Sequence, residues 1–143
     1  MGLFPKVDLK VIAWDFDGVL NRADPADSID LDDSLLFWAE VLAQKSLRHV
    51  ALADADAERA TLIETHLGDW PSIEQVFASG LLGSSRPDPA FFDAVTDTLA
   101  IKPGEAMLID ASGTNVNAAA GQGWRSFRYS PLAKDALKRS LGL

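Results

Sequence analysis

Short apolar segments alternate along the chain with longer segments in which apolar residues recur at helical spacing. An apolar run bounded by turn residues predicts a buried strand, and four such runs occur, at residues 9–14, 48–53, 105–110 and 124–129. The segment at residues 72–79 is ambiguous, and we favour a short strand around residues 75–78. Helical spacing and capping residues predict five helices, at residues 34–44, 56–67, 88–100, 115–123 and 132–141.

The alternation of strands and helices decides the predicted fold class. Strands that are apolar throughout and separated by helices form parallel sheets covered on both faces, and right-handed crossovers place the helices in two outer layers. We therefore predict a three-layer α/β/α sandwich around a parallel sheet of about five strands. No repeat or linker-like segment interrupts the pattern, so residues 1–143 are predicted to form a single domain.

Acidic residues follow three of the predicted strands. The apolar run of the segment VIAWDFDGVLN ends at Asp15 and Asp17, and Asp54 and Asp110 each follow a later strand. The carboxyl ends of parallel strands share one edge of the sheet, which is where open α/β sheets bind their ligands. We therefore expect these carboxylates to converge at that edge.

Converging carboxylates, without cysteine and with few histidines, suit a hard, oxygen-binding cation such as Mg²⁺. A carboxylate such as Asp15 can also attack phosphorus and form an acyl-phosphate that water later hydrolyses. A second acid two residues on, Asp17, could protonate the leaving oxygen and then activate that water. Gly18 allows a sharp turn that directs backbone N–H groups towards an anion. The alternative is purely structural, an Asx turn formed by Asp15 and Asp17.

The composition limits the classes of partner and compartment. A formal net charge of −8 and a pI near 4.6 disfavour nucleic acid, whose phosphates the protein would repel. No apolar run approaches the ~20 residues that span a bilayer, and residues 1–10 lack the apolar stretch of a secretory signal. With no cysteine for disulfides, the sequence predicts a cytoplasmic protein that binds neither nucleic acid nor membrane. Small phosphorylated substrates stay compatible with the charge, because a bound metal ion can reverse its sign locally.

Four segments, in order, resemble the sequence motifs of a known superfamily. The first motif corresponds to DFDGVL, the second to VALADADAERA, the third to SSRPDPAFFDAV and the fourth to AMLIDASGTNVNAAAGQGWRSFRY. On these motifs the chain resembles, over nearly its whole length, the haloacid dehalogenase-like (HAD) superfamily. The resemblance implies a Rossmann-like fold and the activity of most members, which are Mg²⁺-dependent phosphatases.

The resemblance also implies roles for individual residues. Asp15 would be the nucleophile and a metal ligand, and Asp17 would be the general acid/base, with its backbone carbonyl also reaching the metal. Asp110 would be a metal carboxylate, either as a direct ligand or in the second sphere, with Mg²⁺ as the cofactor. Arg86 stands at the catalytic third-motif position, where the family usually has lysine. The substrate-binding positions carried over from the family are Gly18, Ala53 and Asp54.

Four positions depart from the family's usual pattern. Ala53 replaces the second-motif hydroxyl residue, Asp54 replaces the asparagine that usually follows it, and Ala111 replaces the second acid of the fourth motif. Arg86 replaces the third-motif lysine, and a planar guanidinium is not interchangeable with an ammonium group in a tight site. We therefore predict a HAD-like hydrolase that is a weak Mg²⁺-dependent phosphatase using an aspartyl-phosphate intermediate. The alternative is a catalytically impaired HAD-fold protein with a binding or regulatory role.

The spacing between the motifs leaves no room for a cap domain. Only one helix with its loops fits between the first and second motifs, and only a helix and a short strand fit between the second and third. The chain therefore resembles a capless member of the superfamily. An open site of this kind favours a macromolecular substrate, a partner subunit that acts as the lid, or no catalysis. The predicted partner is a small phosphorylated substrate or a protein that acts as the lid.

Overall fold

Five parallel strands form the central sheet in the computed structural model, which describes residues 9–24 and 28–143. The strands lie in the order β3-β2-β1-β4-β5, and every neighbouring pair is parallel. This confirms the predicted parallel α/β sheet. The strand bounds are β1 Val11–Asp15, β2 Arg48–Ala53, β3 Ile73–Ala78, β4 Ala106–Asp110 and β5 Arg125–Arg128.

The five predicted helices are all present, with ends within two residues of the predicted ones. They are α1 Asp33–Ala43, α2 Ala57–His66, α4 Pro89–Leu99, α5 Gly113–Gly121 and α6 Lys134–Ser140. One further short helix, α3 Ser79–Leu82, was not predicted, since it has no side-chain cap and buries none of its residues. None of the described helices combines the length and the apolar character that crossing a bilayer requires.

Side-chain caps fix where four of the helices begin. The side chains of Asp32, Asp56, Asp88 and Ser112 each accept a hydrogen bond from a backbone N–H in the first turn of α1, α2, α4 and α5, respectively. Such caps satisfy N–H groups that have no partner inside the helix. The caps of α2 and α5 follow the carboxyl ends of β2 and β4 within three residues, so they also shape the loops at the edge predicted for the site.

The core lies on both faces of the sheet, because successive side chains of each strand point to opposite sides. In β1, Ile12 and Trp14 face the layer of α1, α2 and α6, whereas Val11 and Ala13 face the layer of α4 and α5. All four side chains have no exposed surface. Burial on both faces explains why the strand is apolar throughout instead of alternating with polar residues.

The order of the strands places the chemistry between β1 and β4. The chain leaves β1 for β2 on one side and returns to β4 on the other, which makes the gap between β1 and β4 the switch point of the sheet. Trp14 pairs in register with Ile109, so the next residues, Asp15 and Asp110, lie side by side at the carboxyl edge. The predicted convergence of these two acids is therefore confirmed.

A buried polar pair joins β1 to β2 beneath that edge. Trp14 Nε1 donates a hydrogen bond of 2.9 Å to His49 Nδ1, and the two rings stack with centroids 6.0 Å apart. His49 has no exposed surface, and burial lowers its pKa to about 4, so the ring is neutral over most of the pH range. The pair fixes the tautomer of His49, since Nδ1 must carry the lone pair that accepts.

We expect Trp14→Phe to lower the free energy of unfolding by about 1–3 kcal/mol more than Trp124→Phe, the cost of leaving a buried acceptor unpaired. Trp124 is a matched control, because it is also buried but its Nε1 has no hydrogen-bond partner within the described part of the chain. Urea unfolding of both variants measures the difference. Equal losses would show that the hydrogen bond to His49 contributes nothing.

Candidate active site

A pocket of about 370 Å³ opens at the carboxyl edge of the sheet, above β1 and β4. Six of its lining residues lie at or just after the ends of β1, β2 and β4, and the others come from the loop before α4 and from α5. Strand ends hold such side chains rigidly, because the sheet fixes their backbone. The lining residues are Asp15, Asp17, Asp54, Arg86, Asp110, Ala111, Ser112 and Asn115.

One guanidinium joins the two acids at the floor of the pocket. Arg86 Nη1 donates to Asp15 Oδ1 over 2.9 Å and to Asp110 Oδ2 over 2.7 Å. The side chains of Arg86 and Asp110 are 2% and 1% exposed, and that of Asp15 is 9% exposed. These are charge-assisted hydrogen bonds out of contact with bulk water, so breaking them would leave a buried charge without its partner.

The same guanidinium reaches a third acid near the pocket mouth. Arg86 Nη2 lies 3.6 Å from Asp54 Oδ1, and the Asp54 side chain is 59% exposed. Burial disfavours the charged form of Arg86, but the neighbouring Asp15, Asp110 and Asp54 outweigh it and raise the pKa of Arg86. Arg86 is therefore a permanent cation surrounded by carboxylates.

The start of α5 holds Asp110 in place. The backbone N–H of Ser112 donates to Asp110 Oδ1 over 2.9 Å, and Asn115 Nδ2 donates to Oδ2 over 3.1 Å. With the bond from Arg86, both carboxylate oxygens accept hydrogen bonds from the protein. Asp110 is thus fixed in one orientation by donors to both of its oxygens.

A separate arginine holds Asp17. Asp17 Oδ1 accepts from Asn21 Nδ2 over 2.9 Å and from Arg59 Nη2, in the first turn of α2, over 3.0 Å. Asn21 is fully buried, and its Oδ1 accepts from the backbone N–H of Ala23 and Asp30, so the same side chain also organises the loop after β1. Asp17 is therefore held from two elements.

Gly18 makes the turn that follows Asp17 possible. Its φ is +97°, a conformation that residues with a side chain rarely adopt. A Cβ at this position would lie 3.5 Å from the Ala111 methyl group and 4.0 Å from Asp15 Oδ2. Gly18 therefore lets the loop pass directly beside Asp15.

The environment of Asp15 disfavours its charged form. Burial raises the pKa of Asp15, Arg86 lowers it and the neighbouring Asp110 raises it, with a net rise from 3.8 to about 8. Asp15 shares its guanidinium with Asp110 and Asp54, so a single positive charge serves three carboxylates. A perturbed carboxyl in a pocket is a feature of catalytic groups, although ion-pair networks produce it as well.

Solved structures of HAD enzymes superpose on most of this chain. A HAD-like family hydrolase from Porphyromonas gingivalis is 13% identical with a TM-score of 0.71, and the alignment covers 92% of this chain and 98% of that one. A HAD family enzyme from Bacteroides thetaiotaomicron, in complex with magnesium and inorganic phosphate, is 14% identical with a TM-score of 0.68, covering 85% and 94%. The chain has the haloacid dehalogenase-like fold.

Other similarities extend over less of the compared protein. L-2-haloacid dehalogenase from Xanthobacter autotrophicus, with chloropropionic acid covalently bound, is 21% identical with a TM-score of 0.65, covering 84% of this chain and 49% of that one. Drimenol cyclase drtB of Aspergillus calidoustus is 26% identical over 118 residues, which are 80% of this chain. The chain spans only 22% of the length of that curated relative. No protein-family model matches the sequence.

The HAD-like fold brings five of the predicted site residues together and leaves two outside the pocket. Asp15, Asp17, Asp54, Arg86 and Asp110 all line it. The other two, Ala53 and Gly18, are not among the lining residues. Ala53 is 1% exposed and packs into the core beside α1 and α2, and Gly18 acts through its backbone.

Sequence reasoning did not identify the pairing of Arg59 with Asp17 or the contact of Asn115 with Asp110. Both side chains lie in the first turn of a helix that follows a site strand. Their position in the sequence could have indicated them, because a polar residue in the first turn of such a helix can reach back over the carboxyl edge of the sheet. Both residues lie in segments that carry the family resemblance, Arg59 in the second and Asn115 in the fourth, but neither was assigned a role.

Magnesium, the cofactor implied by the resemblance, does not fit the described donors as they stand. Within residues 9–24 and 28–143, no three acidic, cysteine or histidine side chains are grouped so that they could hold a metal ion. The two predicted ligand carboxylates, Asp15 and Asp110, are instead paired with Arg86, and the side chain of Asp17, whose backbone carbonyl is the predicted ligand, is paired with Arg59. We therefore derive no chemical step through a metal.

The raised pKa of Asp15 predicts a pH-dependent stability. Between pH 4 and pH 8 the folded state keeps a proton that the unfolded state has lost, so the contribution of Asp15 to stability is full below pH 4 and declines as the pH rises through about 8. The decline is at most about 1.4 kcal/mol per pH unit. In Asp15→Asn this decline should be absent.

Urea unfolding of the native protein and Asp15→Asn at several pH values measures this effect. The difference in free energy of unfolding should shift steadily in favour of the variant between pH 5 and pH 8. A difference that is constant with pH would show that Asp15 is ionised throughout this range.

Proposed function

We propose that the pocket is the active site of a slow HAD-type phosphohydrolase, with Asp15 as the nucleophile and Asp17 as the general acid/base. The observation that carries the proposal is the placement of these two carboxylates in one pocket at the switch point of a HAD-like sheet. Asp15 Oδ1 is held by Arg86, and Asp17 is held by Asn21 and Arg59. Both groups therefore have fixed positions before a substrate arrives, as catalysis by orientation requires.

The proposed reaction has two steps. Ionised Asp15 attacks the phosphorus of a phosphate monoester, the bond from phosphorus to the ester oxygen breaks, and Asp17 gives its proton to the departing oxygen. Water then attacks the aspartyl-phosphate, and Asp17 takes the proton of that water. The phosphorus–carboxylate bond breaks, which releases inorganic phosphate and restores Asp15.

Positive charge for the transferring phosphoryl group comes, in this proposal, from arginine. Catalysis of phosphoryl transfer depends on placing cations where charge is spread in the transition state. Arg86 Nη2 lies 3.6 Å from Asp54 Oδ1, beyond hydrogen-bond distance, so the N–H groups of Nη2 are not committed to that carboxylate and are the donors proposed for a phosphoryl oxygen. The Bacteroides enzyme was crystallised with magnesium. For this chain, magnesium is an expectation from the resemblance, and the proposed steps do not use it.

The proposed substrate is a small phosphorylated molecule or a phosphate group presented by a protein. The described segment between β1 and β2 holds one helix, and the segment between β2 and β3 holds one helix with a single 3₁₀ turn. Neither forms a lid over the pocket, and Asp54 at its mouth is largely exposed. A protein partner that covers this edge could therefore serve as the lid.

A catalytically impaired protein that binds a ligand is the second candidate. Ala53 packs into the core and supplies no hydroxyl, and the Ala111 methyl lies in the pocket where the fourth motif usually has an acid. Losing one preorganised donor typically costs about 10²–10³ in rate. The methyl side chains at positions 53 and 111 are the specific observations that favour an impaired protein with a binding role.

Turnover of an activated aryl phosphate separates the two candidates. We expect slow hydrolysis by the native protein, complete loss in Asp15→Asn, which removes the nucleophile, and a fall in kcat of about 10²–10⁴-fold in Asp17→Asn, the usual contribution of a general acid/base. Released phosphate is measured under saturating substrate. Native activity equal to that of Asp15→Asn would overturn the proposal and leave the binding role.

Removing the charge of Asp54 should strengthen substrate binding. An exposed charge pair is worth up to about 1 kcal/mol, so relief of the repulsion in Asp54→Asn should lower KM up to about fivefold with little change in kcat. Asp69→Asn is the matched control, because Asp69 is exposed and lies outside the pocket lining. An equal effect in both variants would mean that only the net charge of the protein matters.

A further inference from the structure

The two carboxylates that the family resemblance assigns to a metal ion, those of Asp15 and Asp110, are both paired with one guanidinium group, and the side chain of Asp17, whose backbone carbonyl the resemblance assigns to the metal, is paired with another. Asp15 and Asp110 share Arg86 Nη1 at 2.9 and 2.7 Å, and Asp17 pairs with Arg59 at 3.0 Å. A carboxylate that is already paired has to give up a charge-assisted hydrogen bond before it can bind Mg²⁺, unless a different lone pair is accessible. Asp110 is the most constrained, since both of its oxygens accept bonds from the protein.

Arg86 cannot move aside at low cost. Its side chain is 2% exposed, and its Cζ lies 5.8 Å from the centre of the Phe91 ring. An arginine stays protonated under all ordinary conditions, and a buried charge without its partner is strongly destabilising. A divalent cation placed between Asp15 and Asp110 would therefore meet a fixed positive charge.

The residue after Asp110 adds no further carboxylate that could offset this repulsion. Position 111 lines the pocket, but its side chain is a methyl group that lies 3.5 Å from where a Cβ on Gly18 would be. Mg²⁺ requires near-octahedral oxygen ligands and gives up its water shell reluctantly. The methyl group of Ala111 offers a metal ion no ligand at this position.

From these contacts we infer that the site works without a divalent metal ion, and that Arg86, supported by Arg59, supplies the positive charge in its place. Arg86 pairs the two strand-end carboxylates through Nη1, and Nη2, which lies on the side of Asp54 at the pocket mouth, is the nitrogen left for an anion. The catalytic part of this inference rests on the proposed function. The structural part, that Mg²⁺ does not stabilise the folded protein, does not depend on it. The ligand class that follows is a phosphate bound directly by a guanidinium.

Thermal unfolding of the metal-stripped protein with and without millimolar Mg²⁺ tests the structural part. A ligand that binds only the folded state raises Tm, and we expect no rise for the native protein. Ala111→Asp adds a carboxylate to the pocket and should create a rise of several degrees. Ala111→Asn, which has nearly the same shape but no charge, should stay insensitive. A rise in the native protein that Asp15→Asn or Asp110→Asn abolishes would overturn the inference.

Arg86→Gln provides a second test with the same readout. It leaves the strand-end carboxylates without their cation, so its Tm should fall and Mg²⁺ should restore part of the loss. If this variant does not fold, the comparison of Ala111→Asp with Ala111→Asn still decides. A folded Arg86→Gln that ignores Mg²⁺ would count against the idea that Arg86 occupies the place of a cation.

Hydrolysis of the aryl phosphate in excess chelator separates this inference from the proposed function. Turnover unchanged by chelator supports both. Turnover that needs Mg²⁺ overturns the inference and leaves the hydrolase intact. No turnover under either condition, with a Tm insensitive to Mg²⁺, overturns the hydrolase and supports the structural role of Arg86.

Discussion

The buried guanidinium of Arg86 is the interaction on which the rest of the site depends. Two adjacent parallel strands end in Asp15 and Asp110, and two carboxylates this close and this buried repel each other unless a cation lies between them. Arg86 supplies that cation from the loop before α4 and so ties three separate parts of the chain together at the carboxyl edge of the sheet. The position of both acids, and hence the shape of the pocket floor, follows from this contact.

The framework around this contact was predictable from the sequence because its central strands are largely apolar. β1, β2 and β4 are buried on both faces and each contains an apolar run, which in β2 follows Arg48 and His49. β3 was ambiguous for a physical reason, since it lies at the edge of the sheet and exposes Glu74 and Gln75. The acids of the site were predictable as well, because each one ends or directly follows a strand.

The partners of those acids were not predictable in the same way. Arg59 reaches Asp17 across 42 residues of sequence, and Arg86 reaches Asp15 across 71. Such contacts depend on side-chain direction after the fold has formed, which no periodicity encodes. The environment of Ala53 was equally hidden, because a strand-end residue can face the core or the pocket, and only the packing of α1 and α2 decides between them.

The departures from the family's motifs make more physical sense together than one at a time. An acid at position 111 would add a further negative charge beside Asp15, and Ala111 omits it. A guanidinium at position 86 pairs Asp15 and Asp110 through Nη1 while Nη2 lies near the third acid, Asp54. The acid missing at position 111 is offset by the acid gained at position 54, and arginine carries the same charge as lysine, so the departures move negative charge from the end of β4 to the end of β2 without changing its sum. The negative charge is balanced least well at Asp15. Burial and the neighbouring Asp110 raise the pKa of Asp15 more than the shared guanidinium lowers it, and Asp15 is the group whose ionisation the proposed reaction requires.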